Sequence, residues 1–177
     1  MQSVQLLIAS DADLGPAAAL MNLAYGGRGQ APSWTHVSEY LVGDRTSEAA
    51  LRAQLAANPQ ARLLLAKHDD ERSLGGLVWL EPRSRDLWYL GSLTVDPSRQ
   101  SAGLGGRILD SAERWIRARG ARVQIDVLNV RAALIAWYQR RGYRLTGESQ
   151  RYPYEDNRYG VPQRPDLAFV VLEKALP

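Results

Sequence analysis

Apolar and polar residues change their spacing along this chain in a way that sorts it into short strands and amphipathic helices. Val4 to Ala9 reads as a first strand. A helix to about Tyr25 follows, with Asp11 or Asp13 to cap it and Pro16 early enough that its missing N–H costs little. Thr46 or Ser47 opens a second helix, which Asn58-Pro59 ends, because a residue before proline is pushed out of the helical region. Arg62 to His68, Leu74 to Glu81 and Leu87 to Val95 predict three strands, divided by the polar turn Asp69-Asp70-Glu71-Arg72 and by a turn containing Pro82. Gly105 to Arg119 predicts a helix whose Leu104, Ile108, Ala112 and Trp115 form an apolar stripe, with Gly120 to end it. Val123-Gln124-Ile125-Asp126-Val127 alternates with the two-residue period of a half-buried strand. Ala132 to Arg141 is helical and closes on Gly142, a natural residue just past a helix end. A short strand to about Thr146 and a last strand over Leu167 to Leu172 complete the pattern. Two stretches, Gly26 to Thr46 and Arg151 to Pro165, follow neither period, and loops that long in a compact domain usually carry function or are disordered.

The chemistry concentrates where the fourth strand meets the following helix. Leu93-Thr94-Val95-Asp96-Pro97 runs into Gln100-Ser101-Ala102-Gly103-Leu104-Gly105-Gly106-Arg107. A helix start has backbone N–H groups without internal partners and carries partial positive charge. Glycines there remove the side chains that would keep an anion away, so a phosphate-bearing ligand fits. The loop is not a P-loop, which needs Lys and then Ser or Thr after its second glycine, where Gly106 and Arg107 stand. It is a poor dinucleotide fingerprint as well: Ile108 occupies the third glycine position, and too little chain follows to complete such a sheet. The Q/R-x-x-G-x-G/A loop that holds a coenzyme A pyrophosphate matches Gln100 to Gly105.

A second segment adds weight. After the strand over 123–127 come Asn129 and a helix ending in Tyr138-Gln139-Arg140-Arg141-Gly142-Tyr143. In order and separation the two segments resemble the GNAT superfamily of N-acetyltransferases, most closely from about Leu90 to Tyr143. Ser33-Trp34-Thr35, Gly43-Asp44-Arg45-Thr46 and the tail from Tyr152 resemble an uncharacterised branch of it. The resemblance implies one domain over residues 1–177 of mixed α/β (α+β) class. Its mostly antiparallel central sheet would be flanked by helices, with its fourth and fifth strands splayed apart. It implies acetyl-CoA as cofactor, with Leu93, Thr94, Val95, Gln100, Ser101, Ala102, Gly103, Leu104, Gly105, Gly106, Arg107, Asn129 and Arg141 binding it. The backbone N–H of Val95 or a neighbour would meet the oxyanion. Tyr138 would protonate the leaving thiolate, since a phenol of ordinary pKa about 10 keeps its proton at neutral pH; simple packing is the plain alternative. Glu81, at a strand end near the expected acceptor groove, is the candidate base. Glu39, Asp44 and Glu155 lie in the long loops, Val37 stands where that branch carries Glu, and ordered water is a further route. Tyr25, Trp34, Tyr89, Tyr152 and Tyr154 would form the acceptor site, with Tyr40 and Trp79 near them, because aromatic walls suit a cation or an apolar amine.

Composition narrows the rest. The chain of 177 residues suits one domain, and without cysteine it has neither a disulfide nor a thiol to carry an acyl group. The missing thiol supports direct transfer, and the resemblance implies a small-molecule or peptide amine as acceptor. The two histidines, His36 and His68, lack metal-ligand spacing, so no metal is expected. A net charge of +3, and arginines 107, 114, 117, 119 and 122 in and just after one helix without a known docking motif, predict a solvated face rather than nucleic-acid binding. No signal peptide or membrane-length apolar run is visible, so the expected location is cytoplasmic, without membrane attachment. Late exposed strands pair between subunits in many members of the superfamily, which leaves a homodimer open. The rival readings are a non-catalytic acyl-CoA-binding module and a domain that holds another phosphate ligand in the same loop.

Overall fold

The structure is a computed structural model that describes residues 4–26, 37–67, 73–100, 103–156 and 160–177. In chain order its elements are β1 (Leu7–Ile8), a 3-10 turn (Asp11–Asp13), α1 (Leu14–Gly26), β2 (Leu41–Val42), α2 (Glu48–Ala57), β3 (Arg62–Lys67), β4 (Leu74–Pro82) and β5 (Leu87–Val95). A second 3-10 turn (Pro97–Arg99) precedes α3 (Leu104–Arg117), β6 (Arg122–Leu128), α4 (Ala132–Gln139), β7 (Arg144–Arg151), β8 (Val161–Pro162) and β9 (Ala168–Ala175). Seven strands form one sheet in the order β1-β3-β4-β5-β6-β9-β7, antiparallel everywhere except between β5 and β6. This is the mixed, mostly antiparallel sheet that the resemblance implies.

Alternation along the strands divides the core between the two faces. Leu64 of β3 with Val78 and Leu80 of β4 join Ile108, Leu109, Ala112 and Ile116 of α3 on one face. Leu63, Leu65, Leu77 and Trp79 point the other way, onto Leu14, Leu20, Met21 of α1 and Leu51 of α2. The stripe on α3 is therefore rotated from the expected one: Ile116 is buried, while Trp115 is partly buried and meets Trp88 edge-on at 5.0 Å. Glu113 is buried on the same helix, where Lys174 Nζ lies 2.6 Å away and the Tyr143 hydroxyl donates to it at 3.0 Å.

The parallel seam is short. Strands β5 and β6 pair only at Leu87–Arg122, Trp88–Val123 and Tyr89–Gln124, and then diverge. On its other side β5 carries a bulge: Trp79 faces Gly91 and Leu77 faces Thr94, so Val78 spans both Ser92 and Leu93. Ser92 takes up the extra residue with φ of 49°, in the left-handed region that costs a side-chain-bearing residue about 1–2 kcal/mol. The bulge bends β5 away from β6 and opens the gap.

Several boundaries differ from those the pattern predicts. β1 spans two residues rather than Val4 to Ala9. β7 runs on to Arg151 as an edge strand, exposed along its whole length. The two long irregular stretches meet as a second small sheet, Leu41 opposite Pro162 and Val42 opposite Val161.

Candidate active site

A cavity of about 920 Å³ passes through the β5–β6 gap, from the start of α3 on one side to α1 and α2 on the other. Five elements build it, each for a local reason. β5 and β6 leave their facing backbones unpaired beyond Tyr89 and Gln124. α3 starts at Gly103 with φ of 72°, a left-handed value that glycine adopts without penalty. α4 ends on Tyr138 and Arg141, and α1 contributes Met21 and Tyr25.

At the α3 end, Gln100, Gly103, Leu104, Gly105 and Gly106 line the cavity, with Arg141 and Trp137 from α4 opposite. Gln100 Nε2 donates to Val95 O at 3.2 Å, which ties the loop to the strand end. The Arg141 guanidinium lies 4.3 Å from the Trp137 ring centroid and against Gly106, where a Cβ would run into it. Among the described residues, two buried side-chain nitrogens have no hydrogen-bond partner, Arg107 Nε and Arg141 Nε. A glycine-lined helix start with partnerless buried guanidinium nitrogens beside it has the donor set that a pyrophosphate satisfies. Ser101 and Ala102 lie outside the described residues.

In the middle of the cavity, Leu93, Val95, Ile125 and Val127 form apolar walls, and Tyr138 closes them. Tyr138 is buried, edge-on to Trp137 at 4.8 Å and to Tyr143 at 5.3 Å. Burial pushes its phenol pKa upward, reinforced by Tyr25 and Tyr89, so the hydroxyl keeps its proton. The Tyr25 hydroxyl donates to Leu93 O at 3.3 Å, at the bulge.

At the α1 and α2 end stand Arg45, Trp79, Glu81, Arg83, Tyr89 and Asp126. Glu81 is fully engaged: Oε2 accepts from Trp79 Nε1 at 3.0 Å and Asn58 Nδ2 at 3.3 Å, and Oε1 lies 3.0 Å from Arg83 Nη2. Asp126 on β6 differs. Its hydrogen bond is a long one from Gln124 Nε2, at 3.4 Å. Burial raises its pKa; Gln124 and then Arg83 oppose that, and Glu148 adds to it. Its charge in turn raises the pKa of Tyr89, second to burial there. Sequence reading passed over Asp126 because it falls in the polar half of an alternating strand. The available signal was its place just beyond the point where the two strands part.

Other expected site residues stand elsewhere. Tyr152 is fully buried, stacked on Phe169 at 5.7 Å and donating to Gly160 O, so it packs a third apolar cluster rather than the cavity. The Tyr154 hydroxyl accepts from Leu167 N at 2.7 Å and donates to Arg164 O at 3.0 Å; it pins the chain before β9 and is no acceptor contact. Asn129 spends its amide on the same segment, giving Nδ2 to Asp166 O and accepting from Ala168 N, instead of on the cavity. Thr94 is buried and donates to Ser92 O, supporting the bulge from behind. Trp34 lies outside the described residues. Among the described residues no cluster of potential metal ligands occurs, and no helix is long and apolar enough to cross a membrane.

The fold has counterparts among known proteins. A family model described as Acetyltransferase (GNAT) family matches residues 30–143. No curated protein sequence matches the chain. Among solved structures, a GNAT family acetyltransferase from Elizabethkingia anophelis with acetyl-CoA bound superposes with a TM-score of 0.64 at 17% identity, over 99% of this chain and 100% of that one. A GNAT superfamily phosphinothricin acetyltransferase from Sinorhizobium meliloti, in complex with acetyl-CoA, gives 0.68 at 15% identity over 99% and 89%. The ribosomal-protein-S18-alanine N-acetyltransferase from Escherichia coli gives 0.66 at 18% identity over 97% and 93%. At these identities the superpositions speak for the shared fold. The sequence match spans more than half of the chain and includes both the glycine loop and the Tyr138 helix, and on that ground this protein is a member of the GNAT acetyltransferase family.

Proposed function

We propose that the protein is an acetyl-CoA-dependent N-acetyltransferase that passes the acetyl group directly to a primary amine. Asp126 is the base in this reading and Tyr138 the proton donor. The observation that carries it is the continuity of one cavity from the glycine-lined start of α3, past Tyr138, to Asp126. The amides at the start of α3, with Arg141 and Arg107, suit the pyrophosphate, and the unpaired edges of β5 and β6 suit the amides of a pantetheine arm. When bound, acetyl-CoA supplies a thioester already activated towards amines.

The residues of the chain supply the remainder. The β5 backbone around Leu93 to Val95, held by the bulge, presents N–H groups into the gap and can meet developing charge on the acyl oxygen. An alkylammonium must lose a proton before it attacks. Asp126 Oδ takes that proton, and its raised pKa brings it nearer to the operating pH. The C–N bond forms as the C–S bond breaks, Tyr138 Oη gives its proton to the departing sulfur, and the nitrogen loses its second proton to solvent to leave the neutral amide. Solvent then restores Tyr138, and Asp126 returns its proton to solvent. Glu81, with its oxygens occupied, holds Trp79, Asn58 and Arg83 in place around the acceptor end.

Release of free thiol from acetyl-CoA, followed over a panel of amines, amino acids and short peptides, tests this directly. The wild type turns over at least one class. Tyr138→Phe and Asp126→Asn each lower kcat by roughly 100-fold or more, in the range for loss of a positioned proton-transfer group, with acetyl-CoA affinity nearly unchanged. Equal rates in Tyr138→Phe return that ring to a packing role.

A further inference from the structure

A second hollow opens beside the acceptor end, where the turn between β4 and β5 meets the end of α3. It is a groove of about 640 Å³ lined by four arginines, Arg62, Arg83, Arg85 and Arg119, and among the described residues no carboxylate lines it. Arg83 is matched by Glu81 at 3.0 Å. The other three have no acidic partner among the described residues. Arg62 Nη1 donates to Pro59 O at 2.7 Å and Ala61 O at 2.6 Å, and Arg119 Nη1 donates to Trp115 O at 2.8 Å. Those carbonyls orient the forks without balancing their charge. The Arg119 guanidinium carbon also lies 3.7 Å from the Trp115 ring centroid, and such stacking fixes the fork at little entropic cost. The negative end of the α3 dipole, about half a charge, offsets part of Arg119 alone. Arg85 is exposed and makes no hydrogen bond or ion pair among the described residues. Asp86, in the same turn, lies outside the lining, accepting from Ser84 Oγ at 3.0 Å and standing 3.5 Å from Arg122.

Arg83 lines both the groove and the active-site cavity, so the two adjoin at the β4–β5 turn. Asp126 follows Val123 by three positions on β6, and Val123 is level with Trp88, which lines the groove. At about 3.3 Å per residue that is about 10 Å of strand. An extended chain with its amine at Asp126 therefore comes alongside the groove from roughly its third to its sixth residue. Charge chooses the occupant: three guanidiniums without a carboxylate suit an anionic chain. A nucleic acid would want free ring faces for its bases. Trp88 is buried, and the Trp115 ring carries Arg119 and meets Trp88 edge-on at 5.0 Å. Carboxylates need only the forks, whose planar geometry matches theirs. We infer that the acceptor is a peptide chain whose amine enters the cavity and whose following acidic residues lie in this arginine groove. This rests on the acetyltransferase reading above and deepens it by naming the class of acceptor.

The test uses the full chain with acetyl-CoA and three hexapeptide amides that share their first half and end in three Glu, three Gln or three Lys. The Glu peptide exceeds the Gln peptide in kcat/KM by roughly 10-fold, chiefly through KM. That advantage fades as NaCl rises from about 0.05 to about 0.5 M, because exposed charges are screened. Arg85→Glu, at a side chain with no partner to lose, cuts the advantage and speeds the Lys peptide. Arg85→Lys keeps most of it, and the Gln peptide reacts at the wild-type rate in both variants. Binding is read separately by anisotropy, with a labelled Glu peptide whose amine is already acetylated and so cannot react; Arg85→Glu and Arg119→Gln weaken it. Equal rates for the Glu and Gln peptides at low salt would overturn the proposal. So would an advantage that survives Arg85→Glu and Arg119→Gln together, or a single-stranded RNA hexamer that displaces the blocked peptide and binds more tightly. If no amine is turned over yet the blocked peptide binds through these arginines, the docking surface stands and the acetyltransferase reading falls. Turnover at equal rates removes the docking surface and leaves acetyl transfer.

Discussion

Asp126 carries the most at the scale of single residues. A half-buried carboxylate whose folded pKa is raised binds protons more readily in the folded state. Folding stability from this group is therefore fullest below its ordinary pKa and falls as pH rises through the raised one. Asp126→Asn removes the cost of burying that charge, so at pH 7 the variant melts at a higher temperature than wild type while its turnover falls. A lower melting temperature together with normal turnover would return Asp126 to a structural role. The same raised pKa sets an acid limb: kcat/KM falls as pH drops through it and the base takes up a proton, and a rate profile from pH 4 to 8 follows that limb. Asp13 has the opposite sign. The Ser10 hydroxyl, and after it Lys67, hold its pKa down at about 2. Its contribution is present above the ordinary carboxylate range and is lost as pH falls towards 2, so Asp13→Asn lowers the melting temperature at pH 7 and leaves it unchanged near pH 2. Legibility in the sequence divides along similar lines. That Tyr138 and the glycines line a common cavity is what the family resemblance of their two segments implies, and the structure brings them to one cavity. Whether Glu81 or Asp126 is the carboxylate with spare capacity depends on cross-strand partners such as Asn58 and Arg83, which spacing does not encode. Tyr152 and Tyr154 mislead for a related reason, since an aromatic in a loop reads as exposed until the loop is seen folded onto Phe169 and Leu167.

Helices and strands show what alternation can and cannot specify. The β5-α3-β6 crossover and the parallel pairing it makes are legible from glycine placement and apolar period alone. The length of β7 is not: Arg144–Arg151 is polar and exposed on both faces, and only the edge of β9 makes it a strand. The rotation of the α3 stripe onto Ile108, Leu109, Ala112 and Ile116 comes from the contribution of buried Glu113, a charge that reads as solvated in sequence. With Lys174 and Tyr143 it joins α3, β9 and the end of α4. Removing the carboxylate leaves the half-buried Lys174 ammonium and the buried Tyr143 hydroxyl without their partner, so Glu113→Ala costs about 1–3 kcal/mol, measured by urea denaturation, whereas no measurable loss would mean the pair is solvated. At the start of the same helix, Gly106→Ala pushes the Arg141 guanidinium aside. It weakens acetyl-CoA binding at least tenfold in titration calorimetry and leaves stability almost unchanged, because a long side chain gives way more easily than backbone.

The whole molecule is held at its centre by the seam between β5 and β6. Binding restricted to the folded state adds RT ln(1 + [L]/Kd), about 2.7 kcal/mol when acetyl-CoA stands at 100 times its Kd, and the melting temperature rises accordingly. Hydrogen exchange locates the gain: within Leu90 to Val95 and Ile125 to Leu128, the amides that face the gap rather than β4 or β9, slow only when the ligand is present, mark the gap as the part that closes. The seam also has a genealogical side. Every pairing of the seven-stranded sheet except those at Leu87–Arg122, Trp88–Val123 and Tyr89–Gln124 joins strands from the same end of the chain, β1 to β5 or β6 to β9. The sheet is thus two consecutive stretches of polypeptide laid side by side. A chain cut in the segment before β6 and expressed as two fragments keeps nearly all of its strand partnerships inside one fragment or the other. Such fragments should co-purify more readily with acetyl-CoA than without it, which would make this protein a complementation pair whose reunion reports the ligand.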